Sequence, residues 1–404
     1  MKKAIFLGAV CSLLLIAAFA GCSLAGQPRE TESEKAPKNE LPRWEHSDFS
    51  YDVITGTGTV EIMGYNGSDA DIAIPTTLNG YPVVRIVDYA FHSNEKLRTA
   101  SIPETVTEIG LNPFLECSAL ESISVAEENS AFESIDGVLF SKGGEEKTLI
   151  SYPKAKETEE YAVPEGVTAI GADACYRCGM RAVTFPETVT SIGDRAFAHS
   201  GNLRTIHLTG STAYIGESAF GVCQKLESLA LPEGVETIGN WAFVNSLAMT
   251  WVSLPSTVRT IGKNPFYYCQ NLCEIEVDGN NPVFESVDGV LFNKEEHVLI
   301  SYPMDDGFAR QYRVPEGTEV IGEKAFWSVN WGQSLEEIFL PDGLVSIEAK
   351  AFAYSSIKKL RVPESVSMID KSAFDDCSLT IKVKEGSYAQ TFCEENGLTH
   401  SVGD

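Results

Sequence analysis

Ten cysteines give this 404-residue chain its most evident capacity for chemistry. Cys175 and Cys178 form a Cys-x-x-Cys pair, the spacing that redox-active sites and zinc sites use. A structural zinc site needs four ligands, and no second pair lies at a suitable distance. The histidines share no metal-ligand spacing; they are His46, His92, His199, His207, His297 and His400. We therefore expect no metal and no cofactor.

The sequence also lacks the common catalytic motifs. It contains no nucleophile elbow, HExxH helix, phosphate-binding loop or dinucleotide fingerprint. Most carboxylates lie in solvent-facing columns of a repeated pattern, such as the Pro-Glu pairs that contain Glu104 and Glu187, which is typical of a solvated face. An enzyme stays possible only if its site uses residues that resemble ordinary surface residues. We predict that the protein is not an enzyme.

Cys22 is the cysteine whose surroundings indicate a covalent modification. A basic start at residues 2–3 precedes an apolar stretch at 4–20, and Gly21 leads directly into Cys22. This arrangement resembles the lipobox of bacterial lipoproteins, although Phe19 stands where that family usually has an aliphatic residue. The resemblance implies cleavage before Cys22 and attachment of diacylglycerol to its sulfur. An ordinary secretory peptide is the alternative, whereas a spanning helix needs ~20 apolar residues.

The residues after Cys22 predict a tether rather than a folded element. Residues 27–43 are charged, contain three prolines and are poor in bulky apolar side chains, so they cannot bury enough surface to fold. We therefore assign 1–21 to a lipoprotein signal peptide and 22–44 to a lipidated flexible tether. The expected location is extracytoplasmic, anchored by lipid to the cell envelope.

The overall charge restricts the partners. The chain has 31 Lys and Arg against 57 Asp and Glu, a formal net charge of −26. A field of this sign repels phosphate backbones and anionic lipid surfaces. We expect no nucleic-acid partner, and contact with a membrane only through the lipid anchor.

A repeat of 22 or 23 residues must position any site in the remainder of the chain. One unit, residues 186–208, reads PETVTSIGDRAFAHSGNLRTIHL. The alternating end of the unit predicts a strand, a following proline ends it, and an Ile-Gly pair such as Ile192-Gly193 lets the chain bend. A short helical turn then buries a phenylalanine. Its column comprises Phe91, Phe114, Phe197, Phe220, Phe243, Phe266, Phe326, Phe352 and Phe374, with Cys175 in one slot.

The repeated motif I-G-x-x-A-F-x-x-C-x-x-L-x-x-I-x-L-P resembles the BspA-like class of leucine-rich repeats, over about residues 72–383. The predicted fold is a β-rich leucine-rich-repeat solenoid over residues 45–383, right-handed, with a parallel sheet and short helical turns. Residues 386–398 resemble the closing helix of the family, so 384–404 is predicted to be a helical cap. The resemblance implies a bacterial surface protein, and family members act as adhesins for host matrix proteins or other cells.

Two insertions, near residues 126–163 and 278–314, interrupt the repeat. They share the sequence Phe-Glu-Ser-(Ile/Val)-Asp-Gly-Val-Leu-Phe and lie 152 residues apart, so a block of repeats was duplicated. Asp136-Gly137 and Asp288-Gly289 are hairpin signals, and a second turn follows each. We predict two inserted three-stranded β-meanders, which serve either as spacers that cover a sheet edge or as binding protrusions.

Half of the ten cysteines fall into a column three residues after the repeated phenylalanine. Other repeats have Ser200, Ser246 or Ser355 there, so the column requires a small side chain. We expect its cysteines to be small buried residues, and unpaired thiols on an exported protein suit a reducing habitat. They are Cys117, Cys178, Cys223, Cys269 and Cys377.

The outward-facing strand positions form the surface on which leucine-rich repeats usually bind. In the first half they are mostly Ser and Thr, whereas the second half has exposed aromatic and charged residues, which are typical of interface anchors. If the second insertion loops out of the stack, the aromatic and acidic residues share one patch ~10 Å long. Otherwise neighbouring side chains or the insertion cover the aromatics. The candidate partner-binding residues are His207, Trp251, Glu274, Glu276 and Phe339.

These observations predict a cell-surface binding or adhesion protein that recognises a macromolecular partner through its repeats. A protein partner carrying Lys or Arg suits the mixed patch. Carbohydrate is a competing ligand, because Trp251 could stack on a sugar ring. A structural envelope protein that self-associates is the alternative class of function.

Overall fold

The computed structural model describes residues 48–143, 146–303, 310–327 and 335–403, all within one compact unit. The predicted signal peptide, tether and lipid attachment site at Cys22 lie outside these residues. In chain order the elements are β1 Phe49–Ile54, β2 Thr59–Tyr65, β3 Asp71–Ala73, β4 Thr77–Leu78, β5 Tyr81–Ile86, β6 Thr99–Ile102, β7 Glu108–Ile109, β8 Ser122–Val125, β9 Phe132–Ile135, β10 Val138–Ser141, β11 Thr148–Ser151, β12 Glu160–Ala162, β13 Ala169–Ile170, β14 Ala182–Thr184, β15 Ser191–Ile192, β16 Thr205–His207, β17 Tyr214–Ile215, β18 Leu229–Ala230, β19 Thr237–Ile238, β20 Trp251–Leu254, β21 Thr260–Ile261, β22 Glu274–Val277, β23 Phe284–Val287, β24 Val290–Asn293, β25 Val298–Ser301, β26 Gln311–Arg313, β27 Val320–Ile321, β28 Glu337–Phe339, β29 Ser346–Ile347, β30 Lys359–Arg361, β31 Met368–Ile369, β32 Thr380–Val383, α1 Tyr388–Glu395 and β33 His400–Val402.

The strand that precedes the proline in each repeat pairs in parallel with its counterparts, which confirms the predicted solenoid. We call these strands the first ladder. Side chains alternate along them, so Val183 and Ile206 are buried while Thr184 and His207 point outward. The ladder is divided into four sheets rather than one, namely β3-β6-β8, β12-β14-β16, β18-β20-β22 and β26-β28-β30-β32-β33.

The Ile-Gly pairs lie in a second parallel ladder, which in the middle of the chain runs β13-β15-β17-β19-β21. Gly193 does not adopt the left-handed conformation that would explain a bend. Instead, a Cβ atom at this position would lie 2.8 Å from the backbone nitrogen of Ala172 and 2.9 Å from the carbonyl oxygen of Ile170. Glycine is therefore required because consecutive repeats approach closely, and not because the chain turns there.

The segments around the repeated phenylalanine are turns whose backbone alternates in handedness. Arg195 and His199, on either side of Phe197, have φ angles of 53° and 61°. The alternation directs every second N–H toward the next repeat, and the N–H of Phe197 donates to the carbonyl of Ala219 at 2.8 Å. These turns thus form a third hydrogen-bonded ladder instead of the expected helical turns.

The phenylalanine column is buried as predicted, and no member is more than 4% exposed. The rings of Phe197, Phe220, Phe243 and Phe266 stack in sequence with centroid separations of 5.3, 5.6 and 5.8 Å. Aromatic rings contribute large apolar areas to a core. A single repeat cannot enclose such a ring, so neighbouring repeats stabilise one another.

Each insertion contains a three-stranded antiparallel meander, β9-β10-β11 and β23-β24-β25. Asp136 and Asp288 have positive φ, as do the glycines that follow them, which is the conformation that a tight hairpin turn requires. The third strand of each meander then pairs in parallel with the second ladder, β11 with β13 and β25 with β27. The meanders are therefore part of the stack.

The insertions interrupt both the first and the second ladder, but they do not separate the phenylalanine turns. On the side of the first ladder, the N–H of Ile275 donates to the carbonyl of Gly289 at 3.0 Å, so the second hairpin covers the edge of β22. On the side of the phenylalanine turns, the repeats before and after the insertion touch: Asn264 Nδ2 donates to the carbonyl of Lys324 at 3.0 Å. The first insertion has the equivalent contacts, Ile123 to Gly137 and Asn112 to Asp173.

Helix α1 and strand β33 lie at the carboxyl end of the described stack. The Ser387 side chain caps the helix by accepting from the N–H of Gln390, and Phe392 packs beneath it with its ring centroid 6.5 Å from that of Phe374. Strand β33 then extends the first ladder beyond β32. Within the residues that the structure describes, no helix is both long and apolar enough to cross a bilayer.

Candidate functional site

Three of the five predicted binding residues lie together on the first ladder. Trp251 on β20 is directly opposite Glu274 on β22, and Ser253 is opposite Glu276. The Trp251 side chain is 40% exposed, which is unusual for so large an apolar residue, and both glutamates are exposed. The three side chains border one hollow in the surface.

A deeper groove adjoins this hollow, and carboxylates dominate its lining. Its charged lining residues are all acidic, and among the described residues none of them forms an ion pair with Lys, Arg or His. We call this surface, together with Trp251, the acidic groove. Its carboxylates belong to Glu233, Glu274, Glu276, Asp278 and Asp288.

The duplicated block provides a comparison within the same chain. The positions 152 residues before Trp251, Glu274 and Glu276 hold small hydroxyl residues on the same kind of strand, Thr99, Ser122 and Ser124. Because those strands pair in the same register, the fold does not require an aromatic or acidic side chain at these places. The acidic groove therefore reflects a divergence in side chains between two copies of one scaffold.

The two hairpin turns differ in the same way. In the first insertion, Lys156 Nζ lies 2.9 Å from a carboxylate oxygen of Asp136. In the second, the sequence has no lysine between Pro303 and Arg310. Asp288 therefore keeps the turn carboxylate but loses the neighbouring cation.

Phe339 does not join this group, and the premise that the second insertion leaves the stack is wrong on this face. The hairpin β23-β24 covers the edge of β22, so Phe339 lies in the separate sheet that begins at β26. Its ring is half-buried, and the guanidinium of Arg313 lies 4.5 Å from the ring centroid. Phe339 is therefore partly covered by Arg313 and is not a freely exposed apolar side chain.

His207 is also not among the residues that line the acidic groove. It is exposed on β16, opposite Thr184 of β14, in the sheet that precedes β18-β20-β22. The five predicted residues thus lie in three separate places. Trp251 lies with the two glutamates, whereas Phe339 and His207 each lie apart from them.

Sequence reasoning missed two strands of the first ladder, β12 and β26. They place Glu160 and Arg313 among the outward-facing side chains. A signal was present, because Tyr161-x-Val163-Pro and Tyr312-x-Val-Pro match the I-x-L-P end of the repeat motif. The length of the insertions concealed it.

The sequence matches the family model described as BspA type Leucine rich repeat region, in six copies, over residues 71–163, 150–273 and 309–393. The chain belongs to this family. A leucine-rich repeat protein from Eubacterium ventriosum has a similar structure, with 26% identity, a TM-score of 0.53, and coverage of 64% of this chain and 71% of that one. A leucine-rich cell surface protein from Faecalibacterium prausnitzii aligns with 21% identity and a TM-score of 0.46, over 91% and 96% of the two chains. No curated protein sequence matches the chain.

The cysteine column of this BspA-type chain has a polar role that the sequence did not indicate. Thiols in the column donate to the carbonyl of the phenylalanine one repeat earlier, for example Cys117 to Phe91 at 3.0 Å and Cys269 to Phe243 at 3.2 Å. The preference for Cys or Ser follows, because both are small donors.

The Cys-x-x-Cys pair is part of the apolar core. Both thiols are buried and free. Cys178 lies 3.1 Å from the Ser200 hydroxyl, and burial raises its pKa to about 11, so the thiolate is scarce at neutral pH. Among the described residues, no group of three or more His, Cys, Asp or Glu side chains is arranged to hold a metal ion.

Proposed function

We propose that this BspA-type repeat protein is a cell-surface binding protein whose acidic groove holds a Lys- or Arg-bearing segment of a protein partner. The observation that carries the proposal is the exposed Trp251 directly opposite Glu274, beside a groove whose charged lining is entirely acidic. Catalysis is not part of the proposal.

The chemistry of the acidic groove fits a cationic side chain. Carboxylates attract Lys and Arg before contact and form charge-assisted hydrogen bonds after it. An exposed Trp supplies a flat face for the same cation and is a common anchor at the centre of interfaces. A neutral glycan could stack on the Trp251 ring and donate hydroxyl groups to Glu274 and Glu276, but it carries no positive charge to compensate the two carboxylates as they lose water.

The proposed location is the outer side of the cell membrane, with the repeats held by a lipid on Cys22. The support is the amino-terminal sequence, in which an apolar stretch ends at Gly21 directly before Cys22. The tether proposed at residues 22–44 would hold the repeats away from the bilayer by very roughly 25 Å, at ~5–6 Å × √n for a coil. A surface location makes the acidic groove accessible to partners outside the cell.

A selection from a random peptide library, displayed against the full-length protein, tests the function. The selected peptides should be enriched in Lys and Arg, and their binding should weaken as NaCl is raised from 50 to 500 mM. A parallel selection against the Trp251→Thr/Glu274→Ser/Glu276→Ser variant, which restores the residues of the first block, should lose this enrichment. Peptides without cations, or equal enrichment in both selections, would contradict the proposal.

A further inference from the structure

A second charged surface lies on the sheet that begins at β26, and its sign is opposite to that of the acidic groove. The register places Arg313, Phe339, Arg361 and Lys382 side by side on β26, β28, β30 and β32. We call these four residues the cationic row. The three cations are exposed.

The charge of this surface departs from that of the whole chain. The outward-facing positions of the four strands hold the cations Arg313, Lys359, Arg361 and Lys382 and one acid, Glu337, so their sum is 4 − 1 = +3. The chain as a whole carries −26. A locally positive face on so acidic a protein attracts anions only at short range, once they are within about a Debye length.

The stability of the fold does not account for the cationic row. Arg361 and Lys382 are directly opposite on adjacent strands, and like charges in this position destabilise a sheet. Asp342 gives Arg361 little compensation, because its carboxylate comes no closer than 3.9 Å to the guanidinium and both groups are exposed to solvent. Among the described residues, neither Arg313 nor Lys359 forms an ion pair. An anionic ligand would relieve this repulsion.

The row is also partly ordered before any ligand binds. The guanidinium of Arg313 lies over the Phe339 ring at 4.5 Å, which limits the rotamers of a long side chain. Arg313 and Arg361 are two strand spacings apart, about 10 Å at ~4.8 Å per strand. The cations of the row therefore lie on neighbouring strands at the same register, with the Phe339 ring between Arg313 and Arg361.

We propose that the cationic row binds a linear anionic polysaccharide, with sulfate or carboxylate groups on Arg313, Arg361 and Lys382 and a sugar ring near Phe339. A polysaccharide with an acidic group on alternate sugars presents well-separated charges on a flexible strand, as the spaced cations require. Nucleic acid has a much denser line of charge, which the net charge of −26 repels more strongly. This site is independent of the acidic groove.

Binding of the full-length protein to immobilised polysaccharides tests the proposal. κ-Carrageenan, which has a sulfate on alternate sugars, is the sulfated probe, and hyaluronan, which has a carboxylate on alternate sugars, is the carboxylate probe. Dextran serves as the neutral polymer. Wild type should bind at least one anionic probe and not dextran, and its affinity should fall with NaCl. The Arg313→Gln/Arg361→Gln/Lys382→Gln variant should bind at least tenfold more weakly with a flatter salt dependence.

Matched variants separate the cationic row from general charge effects. The Arg181→Gln/Arg204→Gln/Lys225→Gln variant removes the same charge from exposed positions elsewhere and should bind within about twofold of wild type. The row variant should melt at the same or a higher temperature, because it removes a like-charge pair. Should it unfold instead, Arg361→Lys retains the charge and must retain binding.

Several results would overturn the proposal. They are an absence of wild-type binding to both anionic polymers, equal losses in the row and matched variants, and tighter binding to a single-stranded DNA 20-mer than to either polysaccharide. The acidic-groove variant should bind the polysaccharide normally. A failure of one proposal can therefore be distinguished from a failure of the other.

Discussion

Replacing Phe220 by alanine is expected to open the solenoid locally. The Phe220 side chain is fully buried, and its ring lies between those of Phe197 and Phe243 at centroid distances of 5.3 and 5.6 Å, with nearly parallel planes. Alanine removes both contacts and leaves a cavity that the stacked backbones cannot close. Such a substitution costs ~3–5 kcal/mol. At ~1.4 kcal/mol per factor of ten, the opening equilibrium should rise by roughly two to three and a half orders of magnitude.

Hydrogen exchange followed by mass spectrometry measures this effect segment by segment. Phe220 belongs to the central apolar cluster, whereas residues 335–403 contribute to a different one. Exchange should therefore accelerate in residues 190–250 and stay nearly unchanged in residues 335–403. Tyr214→Ala, at a position 41% exposed in the same repeat, is the control and should have little effect. No acceleration around Phe220, or the same acceleration throughout the chain, would refute the account of the stacked core.

Two further predictions concern anchoring and pH. Cys22→Ala should abolish labelling by a fatty-acid probe and shift the protein out of the detergent phase; equal labelling of wild type and variant would rule out the anchor. Burial, with Arg177 nearby, lowers the pKa of His199 to about 4, so the unfolded chain takes up this proton first as pH falls below ~6.5. The free energy of unfolding should therefore decrease as the pH falls from about 6.5 to 4. Urea unfolding should show a smaller decrease in His199→Asn, a substitution chosen because Asn tolerates the φ of 61° at this position. An identical pH dependence of wild type and variant would show that His199 is not responsible.

The architecture was predictable because its signals recur in register. Most neighbours in the phenylalanine column are 22 or 23 residues apart, and Asp-Gly turns mark both hairpins. The backbone of the turns was not predictable, because Arg195 and His199 have left-handed conformations that their residue types do not indicate. Hydrogen bonds to the next repeat, as from Phe197 to Ala219, stabilise these conformations.

The part of the candidate site that could be predicted is the part that depends only on the pairing of two neighbouring strands. The alternation of residues along β20 and β22 suffices to bring Trp251 and Glu274 to one face. The placement of Phe339 depended on where the second insertion lies, and the hydrogen bond between Ile275 and Gly289 that decides this joins parts of the chain that no local pattern connects. Arg313 was missed for a related reason, because β26 lies within the residues that the sequence assigned to the second insertion.

The acidic groove is proposed to be a binding surface and not a requirement of the fold. Calorimetric titration of a selected Lys- or Arg-bearing peptide into wild type and into Trp251→Thr/Glu274→Ser/Glu276→Ser distinguishes these two possibilities. The variant should bind more than tenfold more weakly, since truncating an interface anchor costs ~2 kcal/mol or more, and it should keep its melting temperature because the first block folds with these residues. The Thr99→Ala/Ser122→Ala variant should bind as wild type does. Equal affinities of the groove variant and wild type would contradict the claim.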